Sequence, residues 1–376
     1  MATKIGRTGT SSTNATKFTW SAWVKRANIG SDGMLYYNYL DGNNRGYLQF
    51  LSNDKLYYYD KDGGDEQANL TTTAVYRDPN AFYHICLIGD STDGTQGDRI
   101  QLYVNGVRQT MTGTYPDQND SLGTKVHTGT NYHVLGTNSD STSNPFLGIM
   151  SHVHYVDGID YPATTFGSTD ATTGEWKINT NPNVTYGTNG FFILKDGNSV
   201  TDQSGNSNNC TVGGGTLTKT EDCPSNVFAT WNPLATFANI TLTNGNNTYT
   251  LNAGTWESTP STLAMPSSGK YYAEFKRNTS STSSQYMMVG VAEPKNFNAW
   301  STEYPGYTSS GYGYGWDGNI RNNASYTSYG SAWGATSIIG VAVDMDNKKL
   351  YFHKDGVYQN SGVPTSGSTG TGAKSL

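Results

Sequence analysis

The sequence predicts an all-β protein: two antiparallel β-sandwich domains of jelly-roll type joined by a Thr/Asn/Gly-rich connector. Of its 376 residues, 44 are Gly, 27 are Tyr and only 14% are charged, which suits short strands and tight polar turns. Several segments alternate apolar and polar residues with the period of two of a β-strand. Many of these segments end at Asn-Gly or Asp-Gly, which favour hairpin turns, and no long stretch has helical periodicity.

Residues 1–160 are expected to form the first sandwich. Lys17–Arg26, with the sequence KFTWSAWVKR, is a strand whose Phe, Trp, Ala and Val residues share one core face. Arg99–Thr110 is a strand followed by the Asn-Gly turn of a hairpin, and Gly148–Gly158 is a strand that ends at Asp-Gly.

Residues 161–234 are the connector, and its one apolar strand, residues 189–197, is expected to join the first domain. Residues 235–376 are expected to form the second sandwich, beginning with a strand near Lys270–Arg277. Within it, the Gly- and Tyr-rich segment Ser310–Gly334 alternates large and small residues around an Asp-Gly signal. This pattern predicts a hairpin rather than a disordered tract.

Charge and hydropathy exclude two kinds of partner. The net charge of −6 provides no basic face for phosphates, so nucleic acid is not expected to bind. The longest apolar run, Ser337–Val343, is too short to cross a bilayer, so no membrane insertion is expected. The three cysteines contain no CxxC pair and predict no disulfide framework, although whether Cys210 and Cys223 pair stays open.

Residues of common catalytic sites do not occur in the patterns that catalysis requires. No two of the seven Glu residues lie two to five positions apart, as the paired carboxylates of a jelly-roll glycosidase would. There is no Gly-x-Ser-x-Gly motif, and the Gly-x-Gly-x-x-Gly run at Gly313–Gly318 does not open a helix. His152 and His154 share a strand face, but half-buried structural positions are favoured over a metal site. We therefore expect no enzymatic activity.

One acidic turn has the composition of a cation site. Asp60, Asp62 and Asp65 surround Gly63 in DKDGGDE, and their oxygens could be directed at a calcium ion. The segment lacks the distant Glu of an EF-hand, and a solvated hairpin turn is the simpler interpretation. Calcium is the one cofactor that the sequence suggests.

The ordered strand motifs resemble two domain families. TWSAWVKR, RIQLYVNGV and GIMSHVHYVDG resemble a laminin G-like domain of concanavalin A type. GKYYAEFK, MMVGVAEP, GYGYGWDGN and IIGVAVDMDNKKLYFHKDG resemble a SPRY domain. SPRY domains normally continue past the FHKDGV hairpin, so the resemblance implies a second domain that is incomplete at its C-terminus. Either a partner completes it or the natural chain continues past Leu376.

The segments between these motifs carry a further resemblance. FGSTDATTGEWK, YGTNGFFI, DQSGNSNNCTV and NVFATWNPLA resemble blocks found between such domains in virion proteins of marine bacteriophages. This implies a non-catalytic structural protein on the virion surface, a fibre, knob or decoration, assembled in the host cytoplasm. The implied partners are other capsid or tail proteins, a host-surface glycan or protein, and copies of the chain itself, with a homotrimer favoured.

Aromatic residues near loops are the candidate ligand contacts, because sugars stack their CH faces on Tyr and Trp rings. In SPRY domains the loop that corresponds to Pro294–Ser310 resembles the ligand-contacting rim, which indicates Trp300, Tyr304 and Tyr307. The segment after the Gly- and Tyr-rich hairpin adds Tyr326, Tyr329 and Trp333. Adhesion is thus the expected function, and the alternatives are a purely architectural capsid or tail role and a glycan depolymerase.

Overall fold

The structure is a computed structural model of the chain. It describes residues 2–122, 132–138, 143–197, 199–252, 254, 256–278, 287–293 and 302–376. The chain divides into two compact units, the first formed by Met1–Thr230 with Asn244–Asn247 and the second by Trp231–Thr243 with Thr248–Leu376. Strands make up 42% of the chain and helices 5%, so the all-β prediction is confirmed. None of the helices within these described ranges has the length and apolar character of a membrane span.

The described part of the first unit is built from antiparallel strands, numbered in chain order. They are β1 (Thr3–Thr8), β2 (Lys17–Arg26), β3 (Gly33–Asp41), β4 (Asn44–Phe50), β5 (Leu56–Asp62), β6 (Asp65–Thr72), β7 (Tyr83–Asp90), β8 (Ile100–Val104), β9 (Val107–Arg108), β10 (Met111–Thr114), β11 (Tyr132–Leu135), β12 (Gly148–Asp157), β13 (Gly167–Thr169), β14 (Trp176–Ile178), β15 (Phe191–Ile193) and β16 (Thr211–Gly214).

Two sheets of the first unit pack face to face. The eight-stranded sheet has the order β10-β6-β5-β4-β3-β11-β1-β16, and the six-stranded sheet has the order β15-β12-β2-β7-β8-β9. Phe18 and Trp20 of the six-stranded sheet share one buried cluster with Leu35 and Tyr58 of the eight-stranded sheet. This cluster is the core of the predicted sandwich.

Both faces of the six-stranded sheet are buried, which the period of two does not predict. Every residue of β2 from Phe18 to Arg26 is buried. On the outer face of this sheet, Phe166 and Tyr186 pack against Cys86 of β7. The segment that the sequence suggests as a connector therefore covers this sheet as part of the first unit, and β15 pairs with β12.

Buried polar contacts hold this covering layer. The ammonium of Lys25 donates to Asp222 Oδ2 at 2.8 Å and to the carbonyl of Phe228 at 3.0 Å. The side chains of Lys25 and Asp222 are 3% and 1% exposed. The indole Nε1 of Trp176 donates to His84 Nδ1 at 3.0 Å. Because an unpaired buried group is costly, these contacts fix how the layer sits on the sheet.

The described part of the second unit continues the numbering. Its strands are β17 (Ile240–Thr243), β18 (Thr248–Leu251), β19 (Lys270–Lys276), β20 (Met288–Val291), β21 (Tyr312–Gly315), β22 (Asn319–Asn322), β23 (Ser325–Ser328), β24 (Ile338–Asp344), β25 (Lys349–Lys354), β26 (Val357–Tyr358) and β27 (Lys374–Ser375). A five-stranded sheet has the order β19-β24-β25-β26 with β27 also paired to β25, and a four-stranded sheet has the order β20-β21-β22-β23.

The two larger sheets of the second unit enclose its core. Tyr314 and Ile320 of the four-stranded sheet share one cluster with Ile339 and Phe352 of the five-stranded sheet. Strands β21 and β22 form an antiparallel pair across the Asp-Gly signal, where Gly318 has a φ of 84°. The hairpin predicted in the Gly- and Tyr-rich segment is confirmed.

Short 3-10 helices connect some of the strands. In the described ranges they are Gln96–Asp98, Ala163–Thr165, Pro233–Ala235, Gln359–Ser361 and Pro364–Thr369. Cys86, Cys210 and Cys223 are all free thiols, so Cys210 and Cys223 do not pair.

Candidate functional site

The outer face of the eight-stranded sheet carries a patch of aromatic side chains. Six tyrosines extend outward from four adjacent strands, β11, β3, β4 and β5. We call this set the tyrosine face: Tyr37, Tyr39, Tyr47, Tyr57, Tyr59 and Tyr132.

The period of two in the sequence creates this face. In β5 the residues Leu56, Tyr58 and Asp60 are buried, whereas Tyr57 and Tyr59 between them are half-buried on the opposite side. In β3, Tyr36 is 1% exposed in the core, whereas Tyr37 lies on the opposite side, where it is 7% exposed in a cluster with Met34 and Val134. Successive side chains of a strand point to opposite faces, so adjacent tyrosines take different roles.

The register of the sheet brings the outward rings into rows. Tyr59 lies opposite Tyr47, which lies opposite Tyr37 on the next strand. Tyr39 lies opposite Tyr132 in the neighbouring row. Strand pairing therefore fixes the spacing of the rings without help from loops.

The rings of the tyrosine face pack against one another. Ring centroids are 5.2 Å apart for Tyr47 and Tyr59 and 5.7 Å apart for Tyr37 and Tyr47. Tyr37 and Tyr39 stack at 5.6 Å with an interplanar angle of 16°. Each of these packed rings is buried or half-buried, whereas Tyr132 at the border of the face is 44% exposed.

The hydroxyl groups of Tyr47 and Tyr57 on this face remain protonated. Burial is the largest cause that raises the pKa of Tyr47, and it also raises the pKa of Tyr57, to which Tyr47 is hydrogen-bonded. The guanidinium of Arg45 lies 5.7 Å from the ring centroid of Tyr59. Neutral phenols both donate and accept hydrogen bonds, so the face can pair with hydroxyl groups of a ligand.

In the second unit, three of the predicted aromatic residues come together. The hydroxyl oxygens of Tyr304 and Tyr326 are 3.2 Å apart, and the rings of Tyr304 and Tyr307 meet edge to face at 5.4 Å. Tyr307 is 44% and Tyr326 54% exposed, whereas Tyr304 is buried beneath Trp256 at 4.5 Å between ring centroids. Trp300, the remaining residue predicted from this loop, lies outside the described residues.

Arg321 supports this second cluster. Its guanidinium lies 4.5 Å from the ring centroid of Tyr326 and donates to both carboxylate oxygens of Asp317, at 3.1 and 2.9 Å. A two-pronged contact of this kind holds the guanidinium in one orientation. Tyr326 therefore has a fixed cationic surface under one side of its ring.

Tyr329 and Trp333 are core residues, and they are removed from the candidate ligand contacts. They are 5% and 4% exposed and pack around Tyr314. After β23 the chain folds back, with the amides of Tyr329 and Gly330 both donating to the carbonyl of Gly318. This return inserts both rings between the sheets, which the composition of the segment does not reveal.

The three aspartates suggested for calcium do not converge. Asp60 is 0% exposed and accepts a hydrogen bond from the Tyr58 hydroxyl at 2.6 Å. Asp62 pairs with Asp65 at the end of the hairpin, beyond a bulge next to Asp60. Among the residues that the structure describes, no three His, Cys, Asp or Glu side chains could hold a metal ion. The bulge and the strand alternation separate these carboxylates.

The buried histidines of the first unit serve packing. Burial lowers the pKa of His84 and His133 to about 3 and that of His152 to about 4, and it lowers the pKa of His154 well below its usual range. His154 Nδ1 shares a hydrogen bond with the Tyr186 hydroxyl at 2.9 Å. These rings are neutral structural groups at neutral pH.

Comparison with known proteins agrees with this architecture. Residues 4–164 match the concanavalin A-like lectin/glucanases superfamily, and residues 270–372 match the SPRY domain. A stretch of 112 residues is 30% identical to the ATP-dependent RNA helicase Ddx1 of Drosophila melanogaster, and the match spans 29% of this chain but only 13% of the helicase.

Three solved structures are similar at low identity. The heptameric SAP-like pentraxin of Limulus polyphemus is 16% identical with a TM-score of 0.32, over 56% of this chain and 94% of the pentraxin. A putative carbohydrate binding protein of Bacteroides ovatus is 15% identical with a TM-score of 0.36, over 59% of this chain and 61% of that protein. The enzymatically active domain of bacteriophage CBA120 tailspike protein 2 is 12% identical with a TM-score of 0.32, over 43% of this chain and 25% of the tailspike chain.

The order of the two matched domains is the order that the strand motifs indicate. The first match lies within the first unit and the second within the second unit. The chain thus carries a region that matches the concanavalin A-like lectin/glucanases superfamily, followed by a region that matches the SPRY domain.

Proposed function

We propose that the protein is a non-catalytic structural component of a bacteriophage virion surface that attaches to host-surface glycan through the tyrosine face of its first unit. The observation that carries the proposal is the patch of six tyrosines fixed by strand pairing on one sheet. The exposed ring of Tyr132 can stack on the CH face of a sugar, and the tyrosine hydroxyls can pair with sugar hydroxyls. The matched superfamily also includes lectins by its description.

The virion part of the proposal is supported by the resemblance of the segments between the domains. Four blocks from residue 166 to residue 235 resemble those of marine bacteriophage virion proteins. In the first unit these blocks include the layer that covers the six-stranded sheet. Assembly as a homotrimer would present several tyrosine faces together, which raises the apparent affinity for a repeating surface glycan.

The test compares two equally exposed tyrosines in different units. Tyr132 on the tyrosine face and Tyr307 in the second unit are each 44% exposed. Binding of the full chain to host cells and to immobilised bacterial polysaccharides is measured for Tyr132→Ala and Tyr307→Ala. We expect Tyr132→Ala to weaken binding by about 1–2 kcal/mol, roughly five- to thirtyfold in Kd, because a contacting aromatic ring contributes about this much.

Tyr307→Ala is the matched control and is expected to bind as the unchanged chain does. If Tyr307→Ala alone weakens binding, the attachment surface is the second cluster and the tyrosine face is not the site. If no preparation binds, the architectural role is favoured instead. Shortening of the bound polysaccharide during incubation would contradict the non-catalytic part of the proposal.

A further inference from the structure

We infer that the tyrosine face selects anionic glycans, those that carry carboxylate or sulfate groups, and that Arg45 and Lys61 bind these groups. The inference rests on the proposed function, because it names the class of glycan for the same surface.

Arg45 and Lys61 extend the outer row of the tyrosine face. Arg45 of β4 lies opposite Tyr39 of β3 on one side and opposite Lys61 of β5 on the other. Tyr39 in turn lies opposite Tyr132. One row across four strands therefore runs from two tyrosines to two cations.

Neither cation is neutralised by another residue in the described part of the chain. Among the described residues, Arg45 and Lys61 make no ion pair, whereas Lys25 and Arg26 of the same unit are each bound to an aspartate. Among the described residues, the Nε atom of Arg45 is buried without a hydrogen-bond partner, so a ligand cannot reach it directly. An anionic group of a ligand would instead pair with the terminal Nη groups of the guanidinium.

The nearest carboxylate in this row lies beyond Lys61. Glu66 of β6 lies opposite Lys61 and accepts a hydrogen bond from Asn69 Nδ2 at 3.3 Å. Arg45, Lys61 and Glu66 together give this row one net positive charge, in a chain whose net charge is −6. Arg45, on the side of Lys61 away from Glu66, is the stronger anion contact.

The chemistry of the two cations fits acidic sugars. A guanidinium presents paired N–H donors that match the two oxygens of a carboxylate or sulfate group. The adjacent tyrosines supply aromatic surface and hydroxyl groups for the sugar ring that carries the acid. A neutral glycan would use the rings alone and leave both cations without partners.

The experiment uses matched pairs of polysaccharides that differ in the anion. Binding of the full chain is measured to dextran sulfate and dextran, and to polygalacturonate and its methyl ester. We expect the sulfated or the carboxylated member to bind at least about tenfold more tightly than its neutral counterpart, and this preference to decrease at high salt. The two pairs distinguish sulfate from carboxylate as the preferred group.

Single substitutions test whether Arg45 and Lys61 cause the preference for the anionic polysaccharide. Arg45→Gln and Lys61→Gln are each expected to reduce the preference for the anionic member about tenfold, because each removes a charge-assisted hydrogen bond. Arg45→Lys keeps the charge but loses the paired donors, so an intermediate preference is expected. The control is Lys177→Gln, which removes one positive charge elsewhere in the first unit, where Lys177 is paired with Asp170.

Two results would overturn the inference. The first is equal binding of the neutral and anionic members of both pairs, which leaves the tyrosine face as a site for neutral glycan. The second is an anionic preference that Lys177→Gln reduces as much as Arg45→Gln and Lys61→Gln do, which assigns the preference to overall charge. The proposed function is tested separately, by whether any preparation binds and by the comparison of Tyr132→Ala with Tyr307→Ala.

Discussion

Mild acid is expected to destabilise the first unit strongly, because four of its histidines are buried without charge. Burial lowers the pKa of His84 and His133 to about 3 and of His152 to about 4, and lowers that of His154 well below its usual range. In the unfolded chain a histidine has a pKa of about 6.5. Below that value the unfolded state binds more protons than the folded state, so the free energy of unfolding decreases as the pH falls.

The size of the effect follows from these pKa values. A pH of 5 lies about 1.5 units below the pKa of an unfolded histidine. Each histidine that stays neutral in the folded state therefore lowers the free energy of unfolding by about 2 kcal/mol at this pH. His84, His133 and His152 together remove about 6 kcal/mol, comparable with the whole stability of an ordinary domain. The contribution of these histidines to the free energy of unfolding is complete above about pH 6.5 and is lost progressively as the pH falls toward 3.

The contacts of His84 show why the folded state resists protonation. The ring is 0% exposed, and its Nδ1 accepts the Trp176 indole hydrogen bond at 3.0 Å. A proton on Nδ1 would remove that acceptor and place a charge inside the covering layer. The other ring nitrogen, Nε2, is hydrogen-bonded to Ser21 Oγ at 2.9 Å.

The assay is urea unfolding of the full chain at several pH values between 5 and 7.5. Hydrogen exchange of peptides from β2 and β7 assigns the transition of the first unit. His84→Gln is the comparison variant. It should change the free energy of unfolding at pH 7.5, and it should make the decrease of that free energy between pH 7 and pH 5 smaller by the contribution of one histidine. A free energy of unfolding that changes by less than about 1 kcal/mol between pH 7 and pH 5 would refute the argument.

Two further predictions concern the packing of the first unit. Asp222→Ala leaves the buried ammonium of Lys25 without its anion and should cost about 3–5 kcal/mol in urea unfolding, whereas Lys25→Met combined with Asp222→Leu should recover much of the loss. A cost below about 1 kcal/mol would mean that the covering layer is not held by this pair. Gly89→Ala places a Cβ 2.2 Å from the Phe18 ring and should lower stability by about 1–3 kcal/mol, while Gly94→Ala, with open space around it, should change it by less than about 0.5 kcal/mol. Equal effects of the two alanines would contradict the close packing at Phe18.

Local signals in the sequence predicted the strands and hairpins. The Asn105-Gly106 dipeptide has φ values of 50° and 76°, the positive values that a two-residue hairpin turn requires, and it joins β8 to β9. The alternation of Lys17–Arg26 identified Phe18 and Trp20 as core residues, and both are fully buried. Such features depend on neighbours in sequence, which is why they can be read before the fold is known.

The burial of the second side of a strand depends on distant residues and could not be predicted in this way. Trp23 and Lys25 share the outer side of β2, yet both are buried because residues far along the chain cover that side. The partner of Lys25 is Asp222, 197 residues later. The alternation shows which side chains share a face, but it contains no information on whether a later segment will cover that face.

The same limit decides which aromatic residues are candidates for binding. Tyr36 and Tyr37 are adjacent and chemically identical, but Tyr36 packs against Tyr155 in the core while Tyr37 joins the tyrosine face. In the second unit, Tyr326 is exposed and Tyr329 is buried only three residues later. A tyrosine becomes a candidate only where its sheet face stays uncovered. In the first unit the covering layer lies on the other sheet, although Tyr37 is 7% exposed beside Met34 and Val134 and is therefore not itself a contact. The position of that layer, more than the number of tyrosines, therefore determines where a glycan is expected to bind.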